Sequence, residues 1–261
     1  MTLFSLRILP AARATLLLTV AVLGLSALEG RAAEPAIIAK ARSFIGTEAA
    51  LQGVKSIHYQ GTLVLTDTDA PSNPRRAAVD IVFQKPDQQR ISSISDKLIE
   101  VTALDGYDAW QRQQEPADPT KWQQTLLGPD QIKRLRANTW ENLFFFRGIE
   151  ARGGKIEEKG SMSLDGVDCA KLAFTHAPNI IFYRYFDKAT GRLVFTETEA
   201  GSTIREVGEM TVNGLRMPKS IITTTKISPT QTQTITITFD KVTVNEVFPA
   251  SYFAAPALLT K

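Results

Sequence analysis

The sequence predicts a mainly β domain, one curved antiparallel sheet whose concave face is covered by amphipathic helices. From about residue 56 onward, apolar residues recur at every second position in a long series of short runs. Gly-containing turns join several of these runs, as at residues 104–107, 187–191 and 212–215. Only two segments have helical periodicity instead, and both are strongly amphipathic. A meander of this kind curls into a barrel or folds into a sandwich. Two amphipathic helices favour a single curved sheet with a cover, and an incomplete cover leaves an apolar cavity.

The N-terminal residues 1–32 stand apart from this domain. Arg7 and Arg13 precede the apolar run ATLLLTVAVLGLSAL, which ends in the small-residue stretch GRAA. That order is the pattern of a cleaved secretory signal peptide, with cleavage expected after Ala32 or, second best, Ala33; an uncleaved membrane anchor is the alternative. No Cys follows the run, which excludes a lipid-modified N-terminal Cys, and residues 33–261 are expected to form one exported domain. The single cysteine, Cys169, cannot close an internal disulfide, so that domain needs a core of its own. The formal charge of the chain is +3, and with Arg7, Arg13, Arg31 and Glu29 removed it is +1. A near-neutral domain without a Lys/Arg cluster gives no basis for a nucleic-acid partner.

Taken in order, residues 34–54 read as a helix, with Ile37, Ile38, Ala41, Phe44, Ile45 and Ala49 on one stripe and Gly53 as the stop. The period then changes to two. Ile57, Tyr59, Leu63 and Leu65 share one face of the first strand, and Val79, Ile81 and Phe83 one face of the second, across a Pro/Ser/Asn-rich loop. Strand-like runs follow from QQRISSIS to YDAWQRQ, and the Gln-rich stretch QRQQEPADPTKWQQ is left without regular structure. Gly128, Pro129 and Asp130 start a second helix that Gly148 stops; Ile132, Leu135, Trp140, Leu143, Phe144 and Phe146 give it a stripe wide enough to require a large apolar surface. The Gly pair in ARGGK is a linker, and alternating runs continue to the end. In the last, Ile235, Ile237 and Phe239 are out of phase with Val242 and Val244, which a β-bulge near Asp240 reconciles. Asn245 and Pro249 end the strand, and Phe248, Tyr252 and Phe253 are expected to pack back as an apolar clip on the sheet edge or cavity rim.

Catalytic or metal chemistry has little to work with here. His58 falls on a polar strand face and His176 in an expected loop, neither with a ligand partner at a motif spacing, so no catalytic residue, metal or cofactor is assigned. Glu197, Glu199, Glu206 and Glu209 cluster on an expected hairpin; alternation places them mostly on the solvated face, although a pair of acids is also what glycoside hydrolysis uses. Tyr107, Trp110, Trp122 and Tyr183 suit either a core or a sugar-stacking platform.

Several features in sequence order are similar to one family. They are an amphipathic helix, FQKPDQQRIS with Lys85, Pro86 and Arg90, LDGYDAWQ with Asp105, Gly106 and Trp110, a second helix, FDKATGRLVFTETE, and the closing Asn245, Phe253 and Pro256. This order resembles the LolA/LolB-like lipoprotein-sorting proteins over nearly all of residues 33–261, in the soluble, LolA-like form because the lipid-attachment Cys is lacking. The resemblance implies an unclosed (half) β-barrel with helices as a lid over a hydrophobic cavity, and a periplasmic carrier that shields lipoprotein acyl chains or another envelope lipid on the way to the outer membrane. It also implies docking proteins at the inner and outer membranes. The expected cavity residues are Ile57, Tyr59, Leu63, Leu65, Val79, Ile81, Phe83, Ile235, Ile237 and Phe239 from the sheet, with Phe44 and Phe144 from the helices. Acyl burial contributes roughly 0.8 kcal/mol per CH2, so a carrier needs apolar area rather than catalytic groups. A carbohydrate-binding or carbohydrate-active protein, or an envelope sensor on the same fold, are the alternatives.

Overall fold

A computed structural model describes residues 34–256; the expected signal peptide at 1–32 lies outside the described residues. Thirteen strands form one antiparallel sheet: β1 (Ser56–Asp67), β2 (Arg75–Gln84), β3 (Gln88–Ile94), β4 (Ile99–Asp105), β5 (Asp108–Glu115), β6 (Asp118–Leu126), β7 (Lys155–Leu164), β8 (Val167–Ala177), β9 (Ile180–Asp187), β10 (Leu193–Thr198), β11 (Thr203–Val212), β12 (Leu215–Lys226) and β13 (Thr232–Val244). The spatial order is β6-β5-β4-β3-β2-β1-β13-β12-β11-β10-β9-β8-β7. The chain thus starts at the centre, steps outward hairpin by hairpin to one edge, crosses to the other edge and steps back until β13 pairs with β1. The two edges, β6 and β7, are not paired with each other, so the barrel is unclosed.

That crossing explains the lid. The segment between β6 and β7 holds helix α3 (Pro129–Leu143) and a 3-10 turn at Ile149–Arg152, and its apolar stripe can be buried only on the concave side. Gln131 Oε1 accepts from the Gly128 backbone N–H at 3.1 Å to cap the helix start. The helix ends at Leu143 rather than continuing toward Gly148, because Phe145 and Phe146 adopt left-handed backbone (φ 49° and 70°). Such conformations cost bulky residues of the order of 1–3 kcal/mol each. Burial of both rings offsets the cost: Phe146 packs edge-on to Phe186 at 5.0 Å.

The first expected helix is two. Helix α1 (Ala36–Ile45) ends at Gly46, and α2 (Glu48–Gln52) begins at the N-cap Thr47, whose Oγ1 accepts from Ala50 N at 3.2 Å. The Gly-Thr-Glu triplet is a stop followed by a start, which the continuous apolar stripe concealed. The Gln-rich stretch is also regular: it supplies the second half of β5 and most of β6, which register Gln114 against Trp122 and Trp110 against Leu126. Its residues are polar on both faces because this edge hairpin leaves the core, so hydrophobic alternation could not reveal it.

One core cluster lies under α2 and the end of α3, around Leu51, Val54, Ile57, Leu143 and Val244. The other lies under α1, around Ile38, Ala41, Leu172, Phe174 and Phe186. Two glycines permit close approaches. At Gly61 a Cβ would stand 2.0 Å from the Thr238 carbonyl oxygen, where β1 meets the bulge in β13; at Gly191 (φ +82°) it would stand 2.6 Å from the Lys40 backbone, where the β9–β10 turn abuts α1. The pairing of Gly61 with Phe239 and of Gln60 with Lys241 leaves Asp240 as the extra residue, so Ile237, Phe239, Val242 and Val244 all face the concave side.

Candidate functional site

Between the two core clusters the concave face is not filled. A cavity of about 420 Å3 remains, floored by Tyr59 of β1, Ile81 and Phe83 of β2, Ile91 of β3, and Ile237 and Phe239 of β13. Met217 and Ile221 of β12 extend that floor, and Phe44, Ile45, Phe145 and Phe146 cover it from the helical side. Its volume is within the usual range of small-molecule sites, about 300–1,000 Å3. On the scale of an apolar cavity of about 150 Å3 that holds benzene, it has room for about 17 carbon-sized atoms, one acyl chain rather than several.

Six of the twelve expected cavity residues line this space: Phe44, Tyr59, Ile81, Phe83, Ile237 and Phe239. The others do not. Ile57 is fully buried in the core beneath α2. Leu63, Leu65, Val79 and Ile235 share the concave phase of the strands but fall outside the cavity lining, with Leu63 and Leu65 toward the 68–74 loop. Phe144 stacks on Trp140 (3.4 Å between centroids) under the Lys85 ammonium, outside the cavity, because the chain reverses at Phe145. The apolar lining residues that sequence reasoning missed include Ile91 of β3, Met217 and Ile221 of β12, and Ile45, Phe145 and Phe146 of the cover, and the shared phase of Met217 and Ile221 was a usable signal.

A latch holds the cover down. Arg42 of α1, 4% exposed, donates two bonds to the Glu48 carboxylate (2.7 and 2.8 Å), one to Phe144 O (3.0 Å) and one to Phe145 O (2.7 Å). One guanidinium thus ties α1, α2 and the strained end of α3 together. The hydrogen bond to Arg42 lowers the Glu48 pKa to about 2 against the opposing effect of burial.

The cavity's other wall is polar: the acidic side chains of β11 are exposed, as the expected solvated face requires, yet they border the concavity. Glu206 and Glu209 of β11 line it, with Glu141 of α3, Arg184 of β9, Arg192, and Arg216 of β12. Glu206 shares its strand phase with Ile204 and Met210, which could have placed it inside. It remains reachable by water yet is surrounded by protein in the concavity; desolvation raises its pKa, opposed in part by Arg184 and Arg192. Glu197 and Glu199 differ: Glu197 accepts from the Tyr185 hydroxyl (3.1 Å) and Glu199 pairs with Arg134.

Both histidines are satisfied by carboxylate partners, His58 buried and His176 half-buried. His176 lies on strand β8, not in a loop, and its Nε2 contacts Glu141 Oε1. Burial would raise the Glu141 carboxyl, but Arg184 and His176 together hold it below its usual range. His58, on the convex face, lies between Glu246 (Nδ1, 2.8 Å) and Asp80 (Nε2, 2.8 Å). Trp110 is 3% exposed and donates its indole N–H to Phe253 O at 2.8 Å, which removes it from any sugar platform. Among the described residues no three His, Cys, Asp or Glu side chains are grouped to hold a metal ion.

The same architecture recurs in solved structures. An outer membrane lipoprotein-sorting protein domain, so described, from Vibrio parahaemolyticus superposes with a TM-score of 0.54 at 10% identity, over 83% of this chain and 95% of that one. A LolA superfamily protein from Nitrosomonas europaea gives 0.54 at 12% identity over 82% and 97%. The chain has the LolA-superfamily fold. A DUF1329 family protein from Desulfovibrio piger shares the LolA-type fold to the same extent (TM-score 0.54, 10% identity, 84% and 96% coverage). No protein-family model matches the chain and no curated protein matches it in sequence. The likeness is therefore one of architecture, and the cavity's function rests on its own residues.

Proposed function

We propose that this protein is an exported carrier that shields the acyl part of an envelope lipid, such as a lipoprotein acyl chain, in the cavity of its half-barrel. The observation that carries this reading is the apolar floor of Tyr59, Ile81, Phe83, Ile91, Ile237 and Phe239, left unfilled beneath a cover held by Arg42. Protein interiors are otherwise close-packed, so an unfilled apolar space of this size is a feature that binding uses. Each methylene transferred into it contributes roughly 0.8 kcal/mol, and no catalytic group is needed. Room for about one chain means that a larger lipid anchor enters only when the cover lifts.

The signal peptide at 1–32, a periplasmic location and docking proteins at the two membranes belong to the same proposal. They are supported by the N-terminal charge and apolar pattern together with the LolA-type fold. No helix among the described residues is long and apolar enough to cross a membrane. Native mass spectrometry of the protein purified from an envelope fraction is expected to show bound lipid, and a fluorescent fatty acid to be taken up; finding neither would refute the carrier reading. N-terminal sequencing of that material tests cleavage after Ala32.

A further inference from the structure

The proposed carrier role leaves open which amphiphile the cavity selects, and the polar groups around it bear on that choice. We infer that the cavity is built for an uncharged single-chain glycerol ester, a monoacylglycerol, whose chain lies on the Tyr59–Phe239 floor and whose head meets the side-chain amides of Asn138 and Asn142. This inference rests on the carrier reading and deepens it.

Charge argues against an ionic head. The charged side chains bordering the cavity are Glu141, Glu206 and Glu209 against Arg184, Arg192 and Arg216. Equal numbers of each sign give a charged head as much repulsion as attraction, while its removal from water beside an apolar floor still costs free energy. Arg184 and Glu141, the two that are buried, are already paired with each other. An uncharged head that donates and accepts hydrogen bonds avoids the cost of desolvating a charge.

Helix α3 turns such groups to the cavity. Asn138, Glu141 and Asn142 line it from one helix face, whereas α1 contributes only Phe44 and Ile45. The two amides are fixed in place: Asn142 Nδ2 donates to Asn138 O at 2.8 Å and to Asn138 Oδ1 at 3.3 Å, and Asn138 Nδ2 donates to Gln89 Oε1 at 2.9 Å. Among the described residues these bonds leave the Asn142 Oδ1 acceptor and one Asn138 Nδ2 hydrogen unused. Gln89 points the same way independently. It is fully buried, and its Nε2 has no hydrogen-bond partner among the described residues. It pairs with Phe83 and stands two residues before Ile91, both of the cavity floor, so this donor lies on the concave side beneath α3. A buried donor without an acceptor is costly, and an ester carbonyl supplies the acceptor while the glycerol hydroxyls meet Asn142. Capacity agrees as well: room for about 17 carbon-sized atoms takes a C16 chain with its head at the polar wall, while a second chain exceeds it.

The experiment is a competition assay on the mature protein with four C16 probes: palmitoylglycerol, its ether analogue hexadecylglycerol, palmitate and hexadecyltrimethylammonium. Palmitoylglycerol is expected to bind roughly ten-fold more tightly than either ion, and several-fold more tightly than the ether, which lacks the carbonyl. Asn142→Leu should weaken both glycerol probes several-fold and leave the two ions unchanged, and Asn138→Leu should erase the difference between ester and ether. Because Asn138→Leu also takes a donor from the buried Gln89, thermal melts accompany both variants, and Asn142→Leu, which leaves the Gln89 bonds in place, carries the test if the other unfolds. In protein from an envelope fraction, native mass spectrometry should find the glyceride free; the ester found only on a lipidated protein overturns the inference. Ions that bind as tightly as the glyceride, or an Asn142→Leu effect shared by all four probes, overturn the head-group site while leaving the carrier reading intact. Binding of none overturns both.

Discussion

The two faces of the sheet's central strands are built from alternate residues of the same sequence, yet they end differently. On the concave face Tyr59, Ile81 and Phe239 border open space, with only a latched cover above them. On the convex face His58 and Asp80 are covered by the C-terminal tail, where Phe248 meets the His58 ring at 5.3 Å, Tyr252 donates to Asp80 at 3.1 Å, and Phe253 is fully buried beside Trp110. The tail therefore clips the convex face, not the sheet edge or cavity rim that its aromatics suggested. Packing differs between the faces: the convex side is filled and hydrogen-bonded, and the concave side leaves apolar area uncovered, which the proposed carrier role would use.

Removing the tail should break this division most severely. Phe→Ala in a filled core costs roughly 3–5 kcal/mol, and about 2–4 °C of Tm per kcal/mol is expected at this size. Phe253→Ala should thus lower Tm by about 6–20 °C, and truncation after Asn245 by more, with uptake lost only as a consequence of instability. Loss of uptake at unchanged Tm would make the tail a docking element instead.

The latch comes next. Arg42→Ala leaves two carbonyls without their donor and Glu48 with Arg147 as its remaining cation, costing roughly 2–3 kcal/mol, and should speed lipid exchange. Glu48 has a depressed folded pKa, so its contribution is present above 4.5 and lost as pH falls toward about 2. An NMR titration of Glu48 should show that low value in the wild type and a higher one in Arg42→Ala, where only Arg147 and Gln52 still lower it; the same value in both sinks the latch.

His58 gives a smaller effect of opposite sign. Burial lowers its pKa, but the bonds to Glu246 and Asp80 win and raise it above 6.5. Stabilisation of the tail is therefore complete below 6.5 and fades as pH rises through the raised folded value. Melts at pH 6 and pH 9 should differ in the wild type, and the difference should shrink in His58→Gln. An undiminished difference would assign it elsewhere.

Filling the cavity should cost least. Ile221→Trp places bulk in open space, so the penalty should stay below the roughly 1–3 kcal/mol of overpacking a filled core, while fatty-acid uptake falls at least ten-fold. A large drop in Tm would mean that the space is already filled by side chains.

The sequence by itself determined whatever depends on neighbours along the chain. Period-two runs, Gly turns, the αL turn at Asn245 (φ 66°) and even the bulge at Asp240 were legible because backbone geometry and side-chain phase are local. Half of the expected cavity residues line the cavity for the same reason: phase assigns a face. Phase does not say how deep along a strand the face is covered, so Ile57 became core while Leu63 and Leu65 fell outside the cavity. Tertiary structure alone decided that α3 spans the gap between the two edges, that Arg42 reaches Phe144 and Phe145 across about a hundred residues, and that Arg184 lies among phenyl rings beside a shared carboxylate. Those contacts join residues far apart in the chain, and only the closing of the fold around unfilled space brings them together.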